Sequence, residues 1–140
     1  EWHEKELVPL GASLNADPRC RFIHGDFFRL ALTGEGESGF DPETPGRKFH
    51  AVLLDIDHSP EKLLHDRHGD FYSVAGLRKM AEQLHSGGVF ALWSDDPPED
   101  AFMAALGDVF ESCEPRVVSF YNPLQDKQSK STVYVARSHR

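Results

Sequence analysis

The sequence predicts an α/β fold in which a mostly parallel sheet ends in an antiparallel β-hairpin. Three observations carry this. The run Ala51-Val52-Leu53-Leu54 is apolar without alternation, as a parallel strand buried on both faces requires. From residue 49 to residue 110, strand-like and helix-like segments alternate. Two β-rich segments, 116–121 and 132–136, then close the chain with no helical pattern between them.

In chain order, residues 2–16 read as a helix with Trp2, Leu7, Leu10 and Leu14 on an imperfect apolar stripe. Pro9 should kink or break it, because proline lacks the backbone donor. Asp17-Pro18 is a stop, and the RCRFIHG segment at 19–25 alternates like a short strand. Asp26 to Leu32 suits a helical turn, and Thr33 to Lys48, rich in Gly, Pro and Glu, a surface loop. FHAVLLDI at 49–56 is the clearest strand, followed by a polar, His-rich loop from Asp57 to Asp70. A helix from about Phe71 to His85 places Val74, Leu77, Ala81 and Leu84 on one face with Met80 beside them, and Gly87-Gly88 should terminate it. Val89–Trp93 is a strand. Asp95 or Asp96 should cap the next helix, with Pro97 and Pro98 in its first positions and Phe102, Leu106, Val109 and Phe110 inward. The whole reads as one domain without internal repeats.

The chain has 140 residues and a net charge of −8, from 15 Lys+Arg against 23 Asp+Glu. Scattered basic residues in an acidic chain disfavour nucleic acid as a partner. No apolar run approaches the roughly 20 residues that span a bilayer, and no secretory leader is visible, so no membrane association is expected. Cys20 and Cys113 are far apart and lack metal spacing, which reads as reduced thiols in a cytoplasmic protein. Gly34-x-Gly36-x-x-Gly39 formally matches a dinucleotide fingerprint. Asp41-Pro42 and Pro45-Gly46 follow it in place of a helix, and Glu35 and Glu37 would repel a phosphate, so it reads as loop. Asp57, His58, His65 and His68 are metal-ligand types, but with no cysteine nearby and no paired ligands on a strand they read as a solvated polar loop, and no metal is expected.

Ligands of open parallel sheets bind beyond the carboxyl ends of the strands. Three such ends are Gly25-Asp26-Phe27, Asp55-Ile56-Asp57-His58 and Trp93-Ser94-Asp95. Asp26 there either meets a ligand or caps the helix beginning at Phe27. Asp55 either meets a ligand or bonds loop backbone. Tyr72 lines a pocket or packs, and Trp93 reads as packing.

Several segments carry a family resemblance. EWHEKELVPLGASLNADPRCRFIHGDFF, FHAVLLDID and HGDFYSVAGLRKMAEQLHSGGVFALWS resemble the stretch after the second strand, the fourth strand, and the following helix and fifth strand of spermidine synthase-like proteins. These form a polyamine aminopropyltransferase branch of the Rossmann-like class I S-adenosylmethionine-dependent methyltransferase fold. The resemblance implies a fragment of that fold, with strand order 3-2-1-4-5-7-6 and the first two strands outside these residues. It implies Asp26 and Phe27 as adenine contacts of S-adenosylmethionine or its decarboxylated form, bound weakly or not at all by this segment alone. Asp55 would position or deprotonate an amine substrate, with Asp57 as a substrate carboxylate, His58 as a second base and Tyr72 at the substrate pocket. The activity implied is aminopropyl transfer to a diamine. Methyl transfer and a non-catalytic assembly role are the alternatives. The family's Asp-Ser-Ser-Asp-Pro loop stands here as Asp55-Ile56-Asp57-His58-Ser59-Pro60, longer by one residue. Without strands 1 and 2 the sheet would expose edges, which predicts a homo-oligomer or a displaced segment before residue 48.

Overall fold

The computed structural model describes residues 2–33 and 39–140. Strands β1 (Phe49–Leu54), β2 (Leu84–Ser94), β3 (Ser112–Asn122) and β4 (Lys127–Arg137) form one sheet in the order β1-β2-β4-β3. β1 and β2 are parallel, while β4 is antiparallel to both β2 and β3. The chain is thus α/β with a mixed sheet. The expected hairpin is present, but the sheet is not mostly parallel, because that hairpin supplies two of its four strands.

Helices α1 (Gly11–Ala16), α2 (Phe27–Ala31), α3 (Gly69–Tyr72), α4 (Val74–Glu82) and α5 (Asp100–Gly107) complete the fold. Alternate strand residues face one side of a sheet. Phe90 and Leu92 of β2 and Tyr134 and Ala136 of β4 are buried together with Phe71, Leu77, Met80, Phe102 and Leu106 from the helices. Phe71 sits at the centre, edge-on to Phe27, Phe28 and Phe90 at centroid distances of 5.5, 5.6 and 6.2 Å. The opposite face is less protected: Ala51 is exposed, Trp93 and Val135 are half-buried, and Leu53 is 78% exposed. The apolar run of β1 is therefore covered on one face, not two, and its outer edge pairs with no strand among the described residues.

Other departures have local causes. The helix expected at 2–16 survives only as α1, beyond the break at Pro9. Segment 19–25 is not a strand, since no neighbouring strand among the described residues offers backbone partners. Side chains fix it instead: Arg21 pairs with Asp41 at 2.9 Å, and Arg47 reaches the same carboxylate at 2.9 Å. The helix expected from Phe71 to His85 divides at Ser73, whose ψ of 160° is extended and whose hydroxyl caps α4 by accepting from Gly76 N–H at 3.1 Å. Gly87-Gly88 does not end a helix. It forms a bulge inside β2, where the register with β1 jumps from Phe49↔Leu84 to Ala51↔Val89 and Gly87 takes φ +72°. α5 starts after Glu99, so neither Asp95 nor Asp96 caps it, and both prolines precede it. Gly34 and Gly36 of the glycine pattern lie outside the described residues.

Two devices tie the helical layer together. The Gln83 side chain accepts from Phe40 N–H at 2.8 Å and donates to the Leu30 carbonyl at 2.9 Å, pinning α2 and the residue 40 turn to the end of α4. Gly76 lets α3 and α4 touch: a Cβ there would lie 2.2 Å from the Asp70 carbonyl oxygen and 2.6 Å from that of Phe71.

Candidate functional site

β1 and β2 run parallel, so their carboxyl ends deliver Asp55 and Ser94 to the same rim. The loops beyond them are joined, with Asp95 N–H donating to the His58 carbonyl at 2.8 Å. Two polar clusters grow from this junction.

The first centres on Asp57, which is only 4% exposed. Its carboxylate accepts from Leu64 N–H at 2.8 Å, from the Tyr72 hydroxyl at 2.8 Å and from His68 Nδ1 at 2.9 Å. Burial alone would raise the Asp57 pKa, but these three donors together hold it below the ordinary value, so Asp57 is a carboxylate. Burial and the adjacent Asp57 charge push the Tyr72 phenol well above its usual range, which keeps it a donor. Phe28 of α2 stacks on the His68 ring with centroids 3.7 Å apart and planes 17° apart.

The second cluster is acidic. Lys62 Nζ lies 2.6 Å from Asp96, and that contact is the main cause holding the Asp96 carboxyl below its usual value, with nearby His58 also favouring its charge. Both carboxylate oxygens of Glu99 are buried and make no hydrogen bond of normal geometry. Burial, then repulsion from Glu61, raises the Glu99 pKa, and the Ser59 hydroxyl offsets this only in part. Thr132 of β4, paired with Ser94 of β2, donates to the Asp96 carbonyl at 2.7 Å and so fixes the loop to the sheet.

The residues named from sequence occupy different positions in this arrangement. The Asp55 side chain is exposed on the rim and makes no hydrogen bond or ion pair among the described residues. Asp57 and Tyr72 are buried and bonded to each other. His58 is exposed beside the acidic cluster. Asp26 caps α2, accepting from Arg29 N–H at 3.1 Å. Phe27 is packed, stacked on Phe40 at 5.1 Å. Yet Phe28 touches His68 and His68 binds Asp57, so segments 26–28 and 55–57 meet at one rim. From sequence His68 reads only as a metal-ligand type. Its signal was its place just before α3, the same short helix that carries Tyr72.

Among the described residues no group of three His, Cys, Asp or Glu side chains is arranged to hold a metal ion. No helix among them is long and apolar enough to cross a membrane. A concavity of about 560 Å³ lined by Lys48, Arg78, His85 and His139 lies at the other end of the sheet, away from the strand ends where ligands of such sheets bind. No protein-family model matches this chain, and no curated protein is similar to it.

Proposed function

We propose that this chain is part of a spermidine synthase-like transferase, moving an aminopropyl group from decarboxylated S-adenosylmethionine to a diamine in the cytoplasm. The observation that carries this reading is the meeting of segments 26–28 and 55–57 through the Phe28–His68–Asp57 contacts. It links the segment that carries Asp26, assigned to adenine, to the one that carries Asp55, assigned to the amine. The sheet order supports the same reading, since β1-β2-β4-β3 corresponds to family strands 4-5-7-6. The acidic character of the rim, with Asp95, Asp96 and Glu99 around Lys62, Glu61 beside Glu99, and Asp55 at the end of β1, suits a polycationic substrate.

In this reading Asp55, exposed and unpaired, attracts the substrate ammonium, and Asp26 faces adenine with the carboxylate oxygen that its capping bond leaves free. Phe27 supports that end from the packed side. Cofactor affinity of residues 1–140 alone is then weak, because the glycine turn and ribose-binding acid of the family are not among them. Methyl transfer is the second reading. It is favoured by Asp57, which is engaged by three internal donors rather than presented to a diamine. In residues 1–140 taken alone, the outer edge of β1 pairs with no strand among the described residues, which supports a second copy as the partner of this segment.

The test is an assay of the full-length protein with putrescine and, separately, decarboxylated and intact S-adenosylmethionine. Formation of spermidine and methylthioadenosine is expected. Turnover with intact cofactor alone would replace aminopropyl by methyl transfer. Absence of cofactor binding by calorimetry would sink both.

A further inference from the structure

Attack by an amine requires an unprotonated nitrogen, and diamines are ammonium ions near neutrality. We propose that His68 is the base of this site: its Nε2 takes the proton from the substrate ammonium, while Asp57 and Phe28 hold the imidazole in position. This rests on the transferase reading above and adds a residue that the family resemblance does not supply.

The geometry points there in three steps. Asp57 is ionised and can only accept, so the 2.9 Å contact puts the hydrogen on Nδ1 and leaves the lone pair of a neutral ring on Nε2. Phe28, stacked at 3.7 Å, fixes the ring plane, and the Tyr72 and Leu64 donors fix the carboxylate that holds it. Nε2 itself has no partner among the described residues, and the His68 side chain is 19% exposed against 1% for Asp57. A buried carboxylate thus orients an imidazole whose other nitrogen opens to solvent. In such a pair the carboxylate also stabilises the imidazolium that forms, without taking the proton itself. Of the other imidazoles nearby, His65 lies 5.9 Å away with its Nδ1 occupied by Arg67 N–H, and His58 is exposed beside the acidic cluster with no carboxylate hydrogen-bonded to its ring among the described residues.

The step balances. A proton passes from the diamine ammonium to Nε2. The freed nitrogen lone pair forms a C–N bond to the propyl carbon of the sulfonium cofactor. The C–S bond breaks, and its electrons stay on sulfur, which leaves as a neutral thioether. Asp55 supplies attraction for the cation, and His68 supplies the proton acceptor.

The experiment uses full-length protein with putrescine and decarboxylated S-adenosylmethionine. His68→Gln, whose amide can still reach Asp57, is expected to lose about 10²- to 10⁴-fold in kcat with KM little changed. Added imidazole should restore part of the rate to His68→Gly but none to Asp55→Asn. In the wild-type protein, long-range ¹H–¹⁵N correlation spectra should show the neutral His68 ring protonated on Nδ1, a readout that needs neither a variant nor activity. If the wild type turns over and His68→Gln keeps its kcat, or if the spectra place the proton on Nε2, His68 is not the base and the transferase reading stands. If the wild type transfers no aminopropyl group, that reading falls and this step with it.

Discussion

The Tyr134 hydroxyl accepts a 2.8 Å hydrogen bond from the backbone N–H of Glu99, the residue just before α5. A side chain of β4 thereby does what the expected Asp95 or Asp96 cap does not. It fixes the start of the helix to the middle of the sheet. Tyr134→Phe keeps the ring against Phe102 but leaves that N–H without its partner. Urea unfolding should show a loss of about 1–3 kcal/mol.

Glu99 itself works against the fold at neutral pH. Its pKa is raised in the folded chain, first by burial and then by Glu61. A carboxyl with a raised folded pKa costs stability once the pH exceeds its unfolded value, and the full cost is present above the folded one. Glu99→Gln should therefore raise the melting temperature at pH 7. The gain should vanish in acid, where the wild-type residue is also neutral. Equal melting temperatures at pH 7 would contradict the buried, unpaired geometry.

Asp57 gives the opposite sign. Its folded pKa lies below the ordinary carboxyl value, so its contribution is complete above that ordinary value and is lost as pH falls through the folded one. Asp57→Asn should cost about 1.5–3 kcal/mol at pH 7, the range for hydrogen bonds to a charged group. Its stability should change less than that of the wild type between pH 5 and pH 2. Chemical denaturation across that range measures both.

Leu53 tests the open side of the sheet. It is 78% exposed on a strand whose outer edge is unpaired among the described residues. Residues 1–140 should therefore associate as concentration rises, and Leu53→Lys should shift the population toward monomer, since lysine on an edge opposes pairing. Light scattering coupled to size exclusion reads the mass directly. A monomer at all concentrations would count against the second-copy proposal.

Much of the sheet was legible because its strands follow simple rules. Val89–Trp93 and Thr132–Ala136 are apolar enough to be strands in any context, and they pair in the structure as Leu92↔Tyr134 and its neighbours. What sequence could not supply was tertiary context. Segment 19–25 alternates correctly but has no neighbour to bond. The helical period from Val74 to Leu84 runs on into β2, because Leu84 is buried by a strand as well as it would be by a helix. At the rim, Asp55 and Asp57 stood out as acids after a buried strand. The division of labour between them did not, because it depends on which one His68 and Tyr72 reach across a gap of 11 and 15 residues.

Gly76 extends the rim's vulnerability to a residue that touches none of its polar groups. Even alanine there would drive a methyl group into the Asp70 and Phe71 carbonyls. Helix α3 would have to slide outward, carrying Tyr72 and the adjoining His68 off their anchor. In a screen of random alleles, Gly76 changes should fall into the same phenotypic class as losses of Asp57 or His68, and a map of inactivating changes would extend well behind the surface that meets substrate.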